Sequence, residues 1–265
     1  MTSHISIAGT SKIYNSPRGD VVALENIDLE IEEGEFVSIL GPSGCGKSTL
    51  LKCIAGLERG SGGEIRVSSA PLDGPPKDLG VVFQRDLLLD WYTILQNVVL
   101  TATFKRLDRK AIESRAIELL DSFGLRGYAH RHPWELSGGM RQRVAICRAL
   151  VDDPRLLLMD EPFGALDAMT RDDMALELLR IWGERDLARE QRKTVLFVTH
   201  SIPEAVFLSD RVVVMSPRPG RVAADLRIDL PRPRTVEMRA SEPFGKLSLD
   251  IFRTLTGRHA TDAGV

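Results

Sequence analysis

Apolar positions along the chain follow two periods, and their order predicts an α/β fold. Residues 4–8 and 21–31 alternate apolar and polar side chains, as half-buried strands do. Residues 36–40, 156–159 and 194–199 form short apolar runs, which are typical of strands covered on both faces of a parallel sheet. Helical patterns lie between these runs. We therefore expect a doubly wound core with a mostly parallel sheet and an N-terminal antiparallel β part.

The middle third of the chain has a different pattern. One amphipathic helix is predicted there by apolar residues that recur at i, i+4, i+7, i+8 and i+11, namely Ile112, Ala116, Leu119, Leu120 and Phe123. Asp108 is placed to cap the N-terminus of this helix. Residues 86–135 contain no convincing strand pattern. This region is therefore interpreted as a helical subdomain inserted into the α/β core.

The C-terminal part continues the core and then departs from it. A last strand is predicted near residues 221–230, and the proline-rich segment 231–234 interrupts the chain after it. A closing helix is predicted by the spacing of Phe244, Leu247, Ile251 and Leu255. The sequence thus predicts a single domain over 1–265, with a catalytic core at 4–85 and 150–230, a helical subdomain at 86–149 and a C-terminal extension at 231–265.

Composition and charge exclude several classes of protein. The formal net charge is −2, with 43% hydrophobic and 27% charged residues, so a basic surface for nucleic acid is not expected. The 3 cysteines are isolated, which argues against a disulfide framework or a zinc site and favours a reducing compartment. We see no signal peptide and no apolar run of the ~20 residues that a membrane helix needs. Any role at a membrane would require a partner.

A phosphate-binding loop is the most specific motif. The segment GPSGCGKS at 41–48 fits G-x-x-x-x-G-K-[ST] and lies between a predicted strand and a predicted helix, as this motif requires. Gly41, Gly44 and Gly46 would allow positive φ angles that turn successive amides toward an anion. Lys47 would reach the β- and γ-phosphates, and Ser48 would offer its hydroxyl to Mg2+. The nucleotide contacts are predicted at Gly41, Pro42, Ser43, Gly44, Cys45, Gly46, Lys47, Ser48 and Thr49.

A pair of carboxylates follows the apolar run at 156–159. Charged groups at the end of a buried strand are costly unless they are used. Asp160 could bind Mg2+ directly or through water, and Glu161 could polarise an attacking water.

Further motifs in the expected order make the sequence resemble the ATP-binding cassette (ABC) ATPases, whose fold is a P-loop NTPase domain. LSGGM at 136–140 resembles the signature of this family. GALD at 164–167 resembles its D-loop and includes Asp167. The resemblance implies that Tyr14 stacks on adenine, that Gln84 is the Q-loop glutamine and a ligand of Mg2+, and that His200 is the switch histidine.

The signature also implies a dimer. Ser137, Gly138 and Gly139 precede a helical run, so they would present amides and a hydroxyl at a helix N-terminus, a second anion site. In the family this site serves ATP held by the opposite subunit. The resemblance therefore implies a head-to-tail dimer with two composite sites, in which His200 holds Glu161 and the water in line.

Some features of the middle region admit more than one interpretation. Trp91 and Tyr92 either pack inside the helical subdomain or border a groove for a helix of a membrane partner. Met140 replaces the glutamine common at the end of the signature, and a thioether cannot make the hydrogen bonds of an amide. Arg141, Arg143 and Arg148 are interpreted as a solvated helix face with an edge near ATP.

The resemblance extends to one branch of the family. DEPFGALDAMTR, EAVFLSDRVVVMSPRPGRV and DLPRPR resemble ATPase subunits of nitrate, sulfonate and taurine importers. That implies a peripheral protein on the cytoplasmic face of the inner membrane, with membrane permease subunits and an extracytoplasmic solute-binding protein as partners and no nucleic acid. Two alternatives are a soluble ABC ATPase of DNA repair or translation and a non-catalytic cassette. The first usually has a long coiled-coil insertion or two cassettes, and the second would lack Glu161 or His200.

Overall fold

The computed structural model describes residues 3–17, 19–183 and 187–257, without the side chains of residues 3 and 190. These residues pack as two compact units, one made of the chain up to residue 77 and from 182 onward, the other of residues 78–181. The predicted division at 86–149 and 231–265 concerns functional parts and stays a prediction. Residues 258–265 of the predicted extension lie outside the description.

The elements alternate along the chain much as the apolar pattern predicts. In chain order they are β1 Ser3–Tyr14, β2 Val21–Glu32, β3 Phe36–Leu40, α1 Lys47–Ile54, β4 Gly62–Val67, β5 Ala70–Pro71, β6 Leu79–Val82, α2 Ile94–Val98, α3 Leu100–Phe104, α4 Arg109–Ser122, α5 Gly138–Leu150, β7 Leu156–Asp160, α6 Ala168–Trp182, β8 Thr194–Thr199, α7 Ile202–Leu208, β9 Arg211–Met215, β10 Val222–Arg227 and α8 Glu242–Thr256. Short 3₁₀ turns lie at Pro133–Glu135, Arg189–Gln191 and Val236–Ala240.

The first unit contains the predicted antiparallel part. Its sheet has the order β2-β1-β4-β5, and β1 pairs antiparallel with both β2 and β4. Ile5 and Ile7 of β1, like Ile27 and Ile31 of β2, are buried. The alternation in the sequence thus marks one apolar face that packs on the core.

A second sheet of the first unit contains β3 between two parallel neighbours. β3 pairs in parallel with β8 on one side and with β9 on the other, and β10 is antiparallel to β9. Every residue of β3 and β8 is buried, because a parallel strand covered on both faces has no solvent side. The predicted strands at 36–40 and 194–199 are confirmed to the residue. The carboxyl ends of β3 and β8 therefore open into the loops at 41–46 and 200–201.

The closing helix α8 also belongs to this unit. The Ser241 side chain caps it by accepting a hydrogen bond from the amide of Phe244. Phe244 and Ile251 are its buried residues, and Gly257 ends it in the left-handed conformation. The predicted closing helix is confirmed.

The second unit is mainly helical, as expected for the inserted region. α4 covers the predicted amphipathic helix, and the Asp108 side chain accepts a hydrogen bond of 2.9 Å from the amide of Ala111. Ala116, Leu119 and Leu120 form its buried face. The unit also contains β6, which pairs in parallel with β7. β6 ends two residues before Gln84, so the strand pair delivers Gln84 and Asp160 at its carboxyl edge.

Within residues 3–17, 19–183 and 187–257, no helix is both long enough and apolar enough to span a bilayer.

Candidate functional site

The phosphate loop connects β3 to α1 in the first unit. Gly44 and Gly46 have φ angles of 74° and 104°, which a residue with a Cβ rarely adopts. Ser43 and Gly44 are exposed. α1 starts at Lys47, so its N-terminal amides and positive dipole end face the loop interior. The loop has the construction of an anion site.

Gly41 does not have the positive φ angle that we expected of it. Its requirement is space, because a Cβ at Gly41 would lie 2.8 Å from Cys45 Sγ and 3.1 Å from the carbonyl oxygen of Met215. The expectation of positive φ at all three glycines is therefore wrong for the first. At that position glycine permits close packing against the loop and β9.

Lys47 lies inside the loop. Only 6% of its surface is exposed, and its ammonium donates hydrogen bonds to the carbonyl oxygens of Gly41 at 2.8 Å and Pro42 at 2.9 Å. These two acceptors hold a buried cation at the point where an anion would enter. The adjacent Ser48 and Thr49 are half-exposed.

Gly220 supports the loop from outside and was missed by the sequence analysis. A Cβ at this position would lie 2.1 Å from the carbonyl oxygen of Cys45. The backbone of Gly220 also donates to Ala23 at 3.0 Å and accepts from Glu25 at 2.9 Å. The only signal in the sequence was the turn composition of PRPG at 217–220, which reports a turn but not what the turn touches.

Two further predicted residues belong to the first unit. Tyr14 ends β1 and is 37% exposed, which leaves its ring available to a ligand. His200 directly follows β8 and is exposed. Ser201 then caps α7 by accepting from the amide of Glu204, so His200 is held between a buried strand and a capped helix.

The second unit brings Gln84 and Glu161 together. The side-chain amide of Gln84 donates a hydrogen bond of 3.3 Å to Oε2 of Glu161. Asp160 is the last residue of β7 and only 6% exposed, whereas Glu161 is half-exposed with a φ angle of 47°. A glutamate in this left-handed region is strained, and such strain is concentrated at functional positions. The buried carboxylate and the oriented one are thus adjacent at the strand end.

The predicted signature forms the N-terminus of α5. Ser137 is its N-cap and accepts a hydrogen bond of 3.3 Å from the amide of Met140. Gly138 and Gly139 are the first helical residues, and Ser137 and Gly138 are exposed. A Cβ at Gly139 would lie 3.2 Å from the carbonyl oxygen of Ala165. The signature is therefore packed against the segment that resembles the D-loop.

Asp167 has a local role in that segment. Its carboxylate accepts from the backbone amide of Thr170 at 3.0 Å and from the Thr170 hydroxyl at 2.7 Å. These hydrogen bonds, first that of the hydroxyl, lower the pKa of Asp167. The carboxylate caps the start of α6 and is ionised at neutral pH.

The arginines of α5 are not simply a solvated face. Arg141 donates to the Asp86 carboxylate at 2.9 Å. Arg148 donates to the backbone carbonyl oxygens of Asp86 at 2.7 Å and Leu87 at 2.8 Å. Burial lowers the pKa of Arg148. The interpretation as a solvated face is wrong here, because Arg141 bonds a carboxylate and Arg148 bonds two carbonyls of the loop that follows Gln84.

Comparison with known proteins identifies the family. The profile described as ABC transporter matches residues 24–164, which is more than half of the chain. The chain belongs to the family of ABC transporter ATPases. The predicted family and fold class are confirmed.

Individual relatives of this ABC ATPase cover nearly the whole chain. An uncharacterized ABC transporter ATP-binding protein of Methanocaldococcus jannaschii is 46% identical over 88% of this chain and 85% of its own. The aliphatic sulfonates import ATP-binding protein SsuB of Bacillus cereus is 43% identical over 94% and 95%. The nitrate import ATP-binding protein NrtD of Synechocystis is 42% identical over 98% and 97%. These names support a transporter ATPase rather than the DNA or ribosome alternative.

A solved structure agrees with this assignment. A dimeric ATP-binding cassette in a post-hydrolysis state, bound to ADP and phosphate, superimposes with a TM-score of 0.75 and 33% identity, over 85% of this chain and 99% of that chain.

Proposed function

We propose that this ABC ATPase is the ATP-binding and ATP-hydrolysing subunit of an importer that takes up a small organic or inorganic anion through a separate membrane permease. The observation that carries the hydrolytic part is the hydrogen bond of 3.3 Å from Gln84 to Glu161. It orients a carboxylate directly after the buried Asp160. The import part is supported by the sulfonate and nitrate import names of relatives that match over 95% and 97% of their own length.

The phosphate loop is the proposed site for the triphosphate of ATP. Its amides, the α1 N-terminus and the buried Lys47 ammonium supply positive charge toward an anion. The exposed ring of Tyr14 is proposed to stack on the adenine.

Three residues with oxygen donors are the proposed ligands of Mg2+. Ser48, Gln84 and Asp160 offer hydroxyl, amide and carboxylate oxygens, the hard donors that this ion prefers. When bound, Mg2+ neutralises charge on the phosphates. Asp160 is suited to holding a cation because its carboxylate is buried at the end of a strand, where a nearby cation offsets the cost of burying a charge.

Glu161 is the proposed general base. Its carboxylate is oriented by Gln84, and it is proposed to accept a proton from the attacking water. His200, exposed at the end of β8, is proposed to contact the γ-phosphate and keep the water in line.

The signature is the proposed second half of each site. Ser137, Gly138 and Gly139 start α5 with an exposed capping hydroxyl, and we propose that they bind the γ-phosphate of ATP on a second copy of this chain, with Asp167 at the same interface. Two copies would then form a head-to-tail dimer. The solved relative is itself dimeric.

The remaining partners follow from the importer proposal. The dimer would lie on the cytoplasmic face of the membrane, bound to permease subunits, and a solute-binding protein outside would deliver the anion. The exposed Trp91 beside Tyr92 marks a candidate contact for a permease helix. The proposed solute class is aliphatic sulfonate, taurine or nitrate.

Phosphate release by the purified chain, alone and with its membrane partners in liposomes, tests this function. We expect hydrolysis that requires Lys47, is stimulated by the loaded binding protein, and does not respond to DNA or ribosomes. The melting temperature of the binding protein, measured with sulfonates, taurine and nitrate in turn, identifies the solute as the compound that raises it. Stimulation by DNA or ribosomes, with none by the transport partners, would contradict the proposal.

A further inference from the structure

The ring of Tyr14 is held by charged residues of its own unit. Its hydroxyl donates a hydrogen bond to the Glu58 carboxylate. The Lys12 ammonium lies 4.9 Å from the ring centroid, a distance at which a cation is attracted to the face of an aromatic ring. The hydroxyl and one face of the ring are thus both occupied by protein groups.

Glu58 is the centre of this cluster. Its Oε2 lies 3.5 Å from the Lys12 ammonium, and its Oε1 lies 3.6 Å from that of Lys52. Lys12 is fixed in turn by a hydrogen bond of 2.8 Å to the carbonyl oxygen of Arg59. Burial raises the pKa of Glu58, but the hydrogen bond from Tyr14 and the two lysines outweigh it, so the net pKa is lowered. Glu58 is therefore an ionised acceptor at neutral pH.

The phenol keeps its proton in this setting. Burial raises the pKa of Tyr14, and the hydrogen bond to Glu58 acts in the same direction. The nearby Thr49 side chain lowers the pKa of Tyr14 against these two effects. Glu58 in turn lies 3.6 Å from the ammonium of Lys52 on α1.

These contacts restrict the ring before any ligand arrives. A free tyrosine side chain would lose rotational freedom on stacking, whereas a fixed one does not. With Lys12 on one face, the opposite face is the one left for a flat ligand. We propose that Glu58 is a positioning residue for nucleotide binding, which acts through the Tyr14 hydroxyl. Lys12 supports one face of the Tyr14 ring, and the opposite face receives the base.

This inference rests on the proposed stacking of adenine on Tyr14. It differs from a purely structural role, in which the ion pairs of Glu58 would only hold the end of α1 in place. A structural role would change affinity for any phosphate ligand. A positioning role changes affinity only for ligands that have a base, because inorganic tripolyphosphate has nothing to stack.

The test is calorimetric titration of the full chain with a non-hydrolysable ATP analogue and with tripolyphosphate, both with Mg2+. Tyr14→Phe and Glu58→Leu are each expected to weaken binding of the ATP analogue by about three- to tenfold. The affinity for tripolyphosphate should stay unchanged. Glu58→Gln, which keeps an acceptor for the phenol, should recover part of the loss. Tyr14→Phe combined with Glu58→Leu should be no weaker than either alone, since both remove the same hydrogen bond.

Two results would overturn the inference. One is a loss of tripolyphosphate affinity as large as the loss of affinity for the ATP analogue. The other is a double variant whose loss of affinity for the analogue equals the product of the losses in the two single variants. If Glu58→Leu does not fold, as judged by thermal melting, Tyr14→Phe decides the question by the same comparison.

Tyr14→Ala separates this inference from the function on which it rests. Weak binding by Tyr14→Ala, with normal binding by Tyr14→Phe and Glu58→Leu, would overturn the positioning role alone. Normal binding by Tyr14→Ala would remove the stacking on Tyr14 and the inference together.

Discussion

The side-chain amide of Gln84 donates a hydrogen bond of 3.3 Å to Glu161. The two residues are 77 positions apart in the chain, and parallel pairing of β6 with β7 brings them to the same edge. An amide donor favours one orientation of the carboxylate without adding charge.

Replacing Gln84 by glutamate should therefore alter the pH dependence of hydrolysis. Two carboxylates at this distance repel each other, so one of them holds a proton near neutral pH in the variant. We expect Gln84→Glu to hydrolyse ATP about tenfold more slowly at neutral pH and to recover as the pH rises. Steady-state rates measured over roughly two pH units on either side of neutrality show this. Gln84→Ala is the control, since it should lose rate without the alkaline recovery.

Gly220 allows a direct test of how the phosphate loop is supported. Gly220→Ala would place a Cβ 2.1 Å from the carbonyl oxygen of Cys45, so the loop backbone has to move. A displaced loop amide no longer points toward the phosphates. We therefore expect ATP affinity to fall on the order of tenfold or more. Gly245→Ala is the matched control because nothing lies within 4 Å of its added Cβ. Equal affinity in the two variants would show that Gly220 does not shape the loop.

Arg148 should matter for stability. Its guanidinium donates hydrogen bonds to the carbonyl oxygens of Asp86 and Leu87 at 2.7 and 2.8 Å. Methionine would leave these oxygens without this donor. We expect Arg148→Met to lower the free energy of unfolding by about 1–3 kcal/mol, measured in urea. Arg109→Met, whose side chain is 89% exposed, should leave the free energy of unfolding nearly unchanged. A loss at Arg109 as large as at Arg148 would contradict this explanation.

The sequence predicted the parts of the site that are local. The strand at 36–40, the loop at 41–48 and the helix from Lys47 are contiguous, so period and motif determine them together. The cap at Asp108 is local for the same reason. Such features need only neighbouring residues to be recognised.

Contacts between distant segments could not be predicted in this way. Gly220 packs against Cys45, which lies far earlier in the chain. Arg148 bonds carbonyls that precede it by 61 and 62 positions. An arginine on a helix gives no sign in the sequence of which carbonyl it will meet. The same limit applies in part to Gly41, where the need for glycine arises from close packing against Cys45 and the distant Met215 rather than from its own backbone angle.

Glu161 is proposed to act as the base for ATP hydrolysis in a dimer of this chain. Glu161→Gln keeps the size of the side chain and removes its basicity. Exposed Glu118 on α4 provides the matched control, Glu118→Gln. Phosphate release and sedimentation with ATP and Mg2+ should be measured on the same samples. We expect Glu161→Gln to lose hydrolysis by about 100-fold or more, to bind ATP as before and to sediment as a dimer. Hydrolysis within a few-fold of the unmodified protein, or a monomer at saturating ATP, would contradict the claim.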